Sequence, residues 1–308
     1  MTRFIVIRLI QTVIALFGIM LLVFLVVRLT GDPTDLLRTP TTTPEQIAQM
    51  RHQFGLDRNQ FVQFGIFVRD FVTGDLGTSY VKRRTVVDLI SHALPNTIKL
   101  AGPSFFFSML GALLLGVLGA VKRDSIWDNG VKFIAVLGQA LPGFWVAIMA
   151  VLVFSVTWRL FPAGGQNDGL ASYVLPVGTM AFFILPGMMR LIRSSMLDVL
   201  DSEYIKLARI KGLPERVIIW KHALRNAIIA PLTIAGMLMA MMITGTVIIE
   251  QIFNWPGMGK LMLEAVTARD FPVVQSMVIF IAAFILIINL LIDILYAYVD
   301  PQIRFQKS

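Results

Sequence analysis

The sequence predicts an all-α integral membrane protein with six transmembrane helices, and three observations carry that prediction. Of its 308 residues 56% are hydrophobic and only 15% charged, against roughly 45–50% apolar and about 25% charged in soluble domains. Six apolar runs approach or exceed the ~20 residues needed to cross a hydrocarbon core. Lys and Arg crowd the ends of those runs, as they do at cytosolic flanks.

The runs are Leu9 to Val27, Ile98 to Val121, Val131 to Val156, Tyr173 to Met189, Ala227 to Ile249 and Val273 to Val299. Arg3 and Arg8 precede the first in the manner of a signal peptide, but its apolar core is too long for an h-region and no A-x-A site follows. It reads as a retained span. The fourth is the weakest, being short and carrying Pro176 and Pro186, whose freed carbonyls need neighbouring helices to satisfy them.

Alternating spans place Arg3 and Arg8, then Lys122, Arg123 and Lys132, then the basic residues from Arg190 to Arg225, then Arg304 and Lys307 on one side. By the positive-inside rule that side is the cytosol, and both termini are expected there. The opposite side receives Leu29 to Thr97, the loop around Arg159 to Ser172, and Glu250 to Pro272. The organisation expected is a first span plus extracytoplasmic segment (1–95), a membrane domain (96–299) with a cytosolic loop at 190–226, and a cytosolic tail (300–308).

Small residues recur at helical spacing in two spans: Ser108, Ala112, Gly116 and Ala120, then Gly236, Ala240 and Thr244. Such stripes let helix backbones approach closely. Spacing leaves open whether the contact lies within one chain or across a dimer. Met237, Met239, Met241 and Met242 either line a chamber for varied substrates or fill gaps between helices, and gap filling is the commoner use of methionine.

Several chemistries are excluded or lack support. A net charge of +8 without an aromatic-interleaved basic surface does not indicate nucleic acid. The absence of cysteine removes disulfides, thiolate metal sites and Cys nucleophiles. His52, His92 and His222 match no metal-ligand spacing. Gly257-Met-Gly259-Lys260 resembles the end of a phosphate loop, yet Asn254 stands where the first glycine belongs and Leu261 where the hydroxyl belongs. No catalytic grouping appears, so no enzyme activity is expected. Asp293, one turn after Asn289, is an intramembrane carboxylate that could serve an ion-gradient-driven carrier as a proton relay, or pair with an arginine, or cap a helix.

The loop at 190–226 is the most informative stretch. From Ser202, an N-cap candidate, Tyr204, Ile205 and Ala208 share a helical face while Lys206, Arg209 and Lys211 point elsewhere. Gly212 supplies a stop and Pro214 prevents continuation. Val217, Ile218, Trp220, Ala223 and Leu224 continue as a second helix into the fifth span. A helix this short needs a surface to pack on. Anionic lipid and a protein groove are both open to it.

The loop resembles the "EAA" motif of ATP-binding-cassette importer permeases. Ala208, Gly212 and Leu224 match it, whereas Lys206, Leu207, His222 and Arg225 depart from it. Glu203 to Gly212 followed by Lys221 to Asn226 is similar to the variant of the peptide/nickel/opine branch. Gly31-Asp-Pro33, Gly55-Leu-Asp57, Gly74-Asp-Leu-Gly-Thr-Ser79, Leu94-Pro-Asn-Thr97, Phe253-Asn-Trp-Pro-Gly-Met-Gly259, Arg269-Asp-Phe-Pro272, Asn289 to Asp293 and Asp300-Pro301 extend the resemblance in order over nearly the whole chain. Thr30 replaces the proline common before Gly-Asp-Pro.

The resemblance implies a type I importer permease (MetI-like) architecture and a bacterial plasma membrane location. It implies pairing with a second homologous permease, two cytosolic ATPase subunits that bind ATP and Mg, and an extracytoplasmic solute-binding protein. No cofactor is expected in this chain. The short helix becomes the coupling helix, with Glu203, Tyr204, Ile205, Ala208, Arg209, Lys211, Gly212 and Leu213 at the ATPase. Peptide is the expected substrate class, with nickel chelates, glutathione and opines as alternatives.

Overall fold

A computed structural model describes residues 2–30, 43, 45, 52 and 57–299. Gly31-Asp-Pro33, Gly55, Leu56, Asp300-Pro301, Arg304 and Lys307 lie outside those residues, as do the side chains of Ala240, Thr244 and Asp293.

The described chain is helical apart from turns and one isolated bridge between Thr78 and Thr85. The helices are α1 (Thr2–Thr30), α2 (Gln60–Thr73), α3 (Val86–Val121), α4 (Ile126–Ala140), α5 (Gly143–Ala150, continued by a π-helical segment Val151–Thr157), α6 (Ala171–Leu200), α7 (Glu203–Ile210), α8 (Glu215–Ala227), α9 (Ile229–Ile252), α10 (Met258–Thr267) and α11 (Phe271–Val299). Four stretches are long and apolar enough to cross a membrane: Ile5–Leu29, Val86–Val121, Ala171–Leu200 and Phe271–Leu291. Two bent pairs, α4 with α5 and α8 with α9, raise the number to six if each is one span.

The expected third span, Val131 to Val156, is therefore not one straight helix. It bends by 100° between α4 and α5. Pro142 forces Leu141 into an extended conformation (φ −87°, ψ 127°) and brings no N–H to continue the ladder. The expected fifth span, Ala227 to Ile249, falls almost wholly within α9, which meets α8 at a bend of 55°. Pro231 accounts for it, because it lacks a donor for the Ala227 carbonyl and its ring crowds that oxygen. The fourth span, weakest in the sequence, is the long α6, and its burial explains its tolerance of Pro176 and Pro186.

The chain forms two compact units. Residues 1–96 and 257–308 make the first, and the described part of it is built on α1 packed along α11. Among the described side chains of α1, Met20, Phe24 and Val27 are buried, and Phe24 meets Phe64 of α2 edge-on at 5.4 Å. A second cluster there joins Val86, Leu89 and Ile90 to Met258, Leu261 and Met277.

Residues 97–256 make the second unit, centred on α6. The stripe Ser108, Ala112, Gly116 and Ala120 is buried, and the contact it serves lies within the chain. A Cβ on Gly116 would come 2.8 Å from the Met189 carbonyl oxygen of α6. On α4, a Cβ on Gly138 would come 2.1 Å from Pro186 Cγ. Glycine at both positions is what lets α3 and α4 reach the α6 backbone.

Candidate docking site

In the second unit α6 runs past Met189 to Leu200, so the part of the 190–226 loop outside α6 begins only at Asp201. Ser202 occupies the N-cap position of α7 with extended backbone, but its hydroxyl donates back to the Val199 carbonyl instead of capping α7. The other end stops as expected. Gly212 has φ 75°, its N–H donates to the Arg209 carbonyl at 2.9 Å, and the Leu213 N–H donates to the Ala208 carbonyl at 3.3 Å. This pair of bonds is a Schellman motif, which satisfies orphan carbonyls at the helix end. Pro214, extended at φ −60° and ψ 137°, then starts α8.

Polar contacts fix the loop across that turn. Arg209 Nε lies 2.8 Å from Glu215 Oε1. Asn226 Nδ2 donates to the Tyr204 hydroxyl at 2.7 Å, which joins the two halves of the quoted motif. Glu203 pairs with Lys206 at 2.8 Å and raises the lysine pKa. Within α8 the segment Ile218–Ala223 is π-helical, and its Ile218 and Ala223 are fully buried. Single π turns of this kind are frequent at functional sites.

The amphipathic face divides differently from the expectation. Ile205 has no accessible surface, so it anchors α7 to the body and is not available to a partner in this conformation. Ala208 is half-buried beside it. The apolar side chains left outside are Tyr204, Leu207, Ile210 and Leu213, with Ile210 81% exposed. Sequence reasoning did not single out Leu207 or Ile210 for docking; the i, i+3 spacing from Leu207 to Ile210 and Leu213 was the available signal. Arg209 and Lys211 are exposed beside this ridge. The surface presented is thus an apolar ridge with a basic border.

Further along the second unit, α6 is tied to α4 by a charged network absent from the expected site. Asp128 is fully buried and receives Arg193 Nε at 2.6 Å, Arg193 Nη2 at 2.9 Å, Lys132 Nζ at 2.8 Å and the Asp124 N–H at 3.0 Å. The Arg193 hydrogen bonds, chiefly, hold the Asp128 carboxyl far below the usual carboxylate range. Glu250 is a second fully buried carboxylate, and Thr97 Oγ1 donates to it at 2.6 Å. An apolar cavity of ≈ 330 Å³ is lined by residues including Phe144, Phe183, Met241, Met242 and Ile248. Met242 is buried and Met241 exposed, and both line this cavity, while Met237 and Met239 are exposed.

The first unit brings two other motif pieces together. Asp270 is buried and accepts from Ser79 Oγ at 2.5 Å and from the Tyr80 N–H at 3.1 Å. Gly74-Asp-Leu-Gly-Thr-Ser79 is thereby tied to Arg269-Asp-Phe-Pro272. Burial, with the neighbouring Asp270 charge, pushes the Tyr80 phenol up. No group of three or more acidic, histidine or cysteine side chains able to hold a metal occurs among the described residues.

Comparison with known proteins gives concordant matches. The family described as "Binding-protein-dependent transport system inner membrane component" matches residues 112–305, and its N-terminal companion, "Binding-prot-dependent transport system membrane comp, N-term", matches residues 1–101. An oligopeptide transport system permease protein of Bacillus subtilis (strain 168) is 36% identical, over 99% of this chain and 100% of its own length. A glutathione transport system permease protein of Escherichia coli O6:H1 is 35% identical over the same shares. Among solved structures, one titled as an amino acid ABC transporter with histidines matches with a TM-score of 0.53 at 16% identity, over 70% of this chain and 94% of that one. That likeness concerns the fold alone.

Proposed function

Because the chain belongs to the family of binding-protein-dependent transport system inner membrane components, we propose that α7 and the turn after it couple it to ATPase subunits that drive peptide import. The chain is a multi-pass inner-membrane permease of an ATP-binding-cassette importer, the family's role. Its substrate is a di- or oligopeptide. That class follows the oligopeptide and glutathione permeases, glutathione being itself a small peptide.

In this reading a second, homologous permease completes the translocation path, and two cytosolic ATPase subunits bind ATP and Mg. An extracytoplasmic solute-binding protein delivers the peptide to the 30–95 and 254–272 regions. The carrying observation is the exposed ridge of Leu207, Ile210 and Leu213 on a helix whose other face is locked down by Ile205. A helix anchored to the body in this way can transmit ATPase closure to the permease bundle as a rigid-body movement. Tyr204, Arg209, Lys211 and Gly212 flank or terminate that ridge, and Glu203 lies at its start.

The test is reconstitution. Two soluble ATPase subunits are expected to co-purify with the chain, and peptide uptake into proteoliposomes is expected to be ATP-dependent and vanadate-sensitive. Uptake in proteoliposomes that contain no ATPase would overturn the coupling reading and favour an ion-gradient carrier.

A further inference from the structure

Between α4 and α6, beside the Asp128 network, the second unit has a pocket of ≈ 190 Å³ whose lining includes Lys132, Val136, Gln139, Arg190 and Arg193. Its charge is unbalanced. Arg193 and Lys132 both bind the single buried carboxylate of Asp128, and Lys132 also lies 3.9 Å from the exposed Asp124. Arg190, one turn before Arg193 on α6, forms no ion pair among the described residues. Lys132 and Gln139 stand two turns apart on α4, so both project to the same side of the pocket. Next to these polar groups α4 presents Phe133, Val136 and Leu137 outward, exposed by 64%, 68% and 40%.

We propose that an anionic phospholipid binds here, its phosphate held at the pocket's edge by the exposed Arg190 as the principal cation and an acyl chain laid in the mostly apolar pocket and along Phe133 and Val136. Basic pockets between spans, near the ends of the hydrophobic runs, select acidic headgroups by charge. The adjoining apolar strip decides between occupants. A free phosphate has no use for it, and an acidic protein segment would gain little there, whereas a lipid uses the cation and the strip together.

The experiment is native mass spectrometry of the whole importer complex, released from detergent with added phosphatidylglycerol, phosphatidylcholine or inorganic phosphate. Phosphatidylglycerol adducts should exceed phosphatidylcholine adducts on the wild type and fall about fivefold in Arg190→Gln, since one basic residue near an anionic surface contributes roughly that factor. Arg190 is exposed and lies outside the Asp128 cage, so the variant should retain its assembly on size exclusion. Equal retention of phosphatidylglycerol by Arg190→Gln would overturn the proposal. So would displacement of the lipid by inorganic phosphate, or a photo-crosslinker at Val136 that captures another subunit instead of lipid.

Discussion

Arg193 of α6 grips Asp128 of α4 through two parallel hydrogen bonds, Nε to Oδ1 at 2.6 Å and Nη2 to Oδ2 at 2.9 Å. The carboxylate is fully buried and the arginine side chain is 18% exposed, so the pair is largely shielded from solvent. Bidentate geometry and the extra bonds from Lys132 and the Asp124 N–H satisfy the carboxylate oxygens, which a buried ion pair requires.

Removing one partner leaves the other charge buried without compensation. Asp128→Ala should therefore destabilise the second unit by about 3–5 kcal/mol, whereas a surface control such as Asp201→Ala should change stability by about 0.5 kcal/mol or less. Thermal unfolding of the detergent-solubilised chain measures both. Equal small losses would mean that α4 and α6 are held by their apolar contact alone.

The same network sets an acid limit. Asp128 is held below its ordinary pKa of 3.8, so the folded state binds its proton more weakly than the unfolded state. Its stabilisation is fully present above that ordinary value and disappears as pH falls below it toward the folded-state pKa. The wild type should hold a constant unfolding temperature through pH 5–7 as far as this group is concerned and lose stability below about pH 4. Asp128→Asn should lose less in that acid window, and a wild type and variant falling in parallel would remove the assignment.

How much of this was legible in the sequence depends on whether the signal was local. Leu9 to Val27 and Val273 to Val299 are continuous apolar runs, and α1 and α11 contain them. The stripe from Ser108 to Ala120 announced a close helix contact, but its partner, α6, could not be named because helix pairing is not written in spacing. Pro142-Gly143 sits inside an unbroken hydrophobic run, and the run's length masked a 100° bend that the proline causes. Asp128 and Arg193 are 65 positions apart and each looks like an ordinary flank charge, so only the packing of α4 on α6 reveals them as a pair. In the loop, Gly212 and Pro214 gave the stop of α7 because turn chemistry is local. Which face of α7 turned inward was not, since Ile205 and Ile210 are equivalent by composition and only the body beneath distinguishes them.

Gly138 should tolerate no side chain. A methyl placed there would lie 2.1 Å from Pro186 Cγ, and the proline ring cannot swing aside as a flexible chain could. Gly138→Ala is expected to cost about 1–3 kcal/mol through overpacking. Gly130→Ala on the same helix meets nothing within 4 Å and should stabilise α4 by about 0.5–1 kcal/mol. Opposite signs in thermal unfolding check the pair.

At Gly212 the difficulty is conformational, not steric, because a Cβ there meets nothing within 4 Å while φ is 75°. Gly212→Val should cost about 1–2 kcal/mol locally by opposing the left-handed conformation, and Gly212→Asn should cost less. The importer carrying the valine should insert and assemble but hydrolyse ATP with reduced peptide uptake, and the asparagine variant should recover most of the coupling. Unchanged uptake in the valine variant would count against α7 as the coupling element.

Ile205 and Ile210 separate anchoring from docking on a single helix. Ile205 is fully buried, so Ile205→Ala should remove packing worth about 2–5 kcal/mol and loosen α7 on the body. Ile210 is 81% exposed, so Ile210→Asp should leave the isolated chain within about 0.5 kcal/mol of wild type. In the assembled importer the order of effects should reverse. The aspartate would face an apolar groove on the ATPase and weaken co-purification of that subunit, while the alanine variant keeps the Leu207, Ile210 and Leu213 ridge chemically intact. Pull-down of the ATPase subunits, measured beside thermal unfolding of the chain alone, reads both quantities. A stable Ile210→Asp chain that still retains its ATPases at wild-type level would place the docking surface elsewhere on the chain.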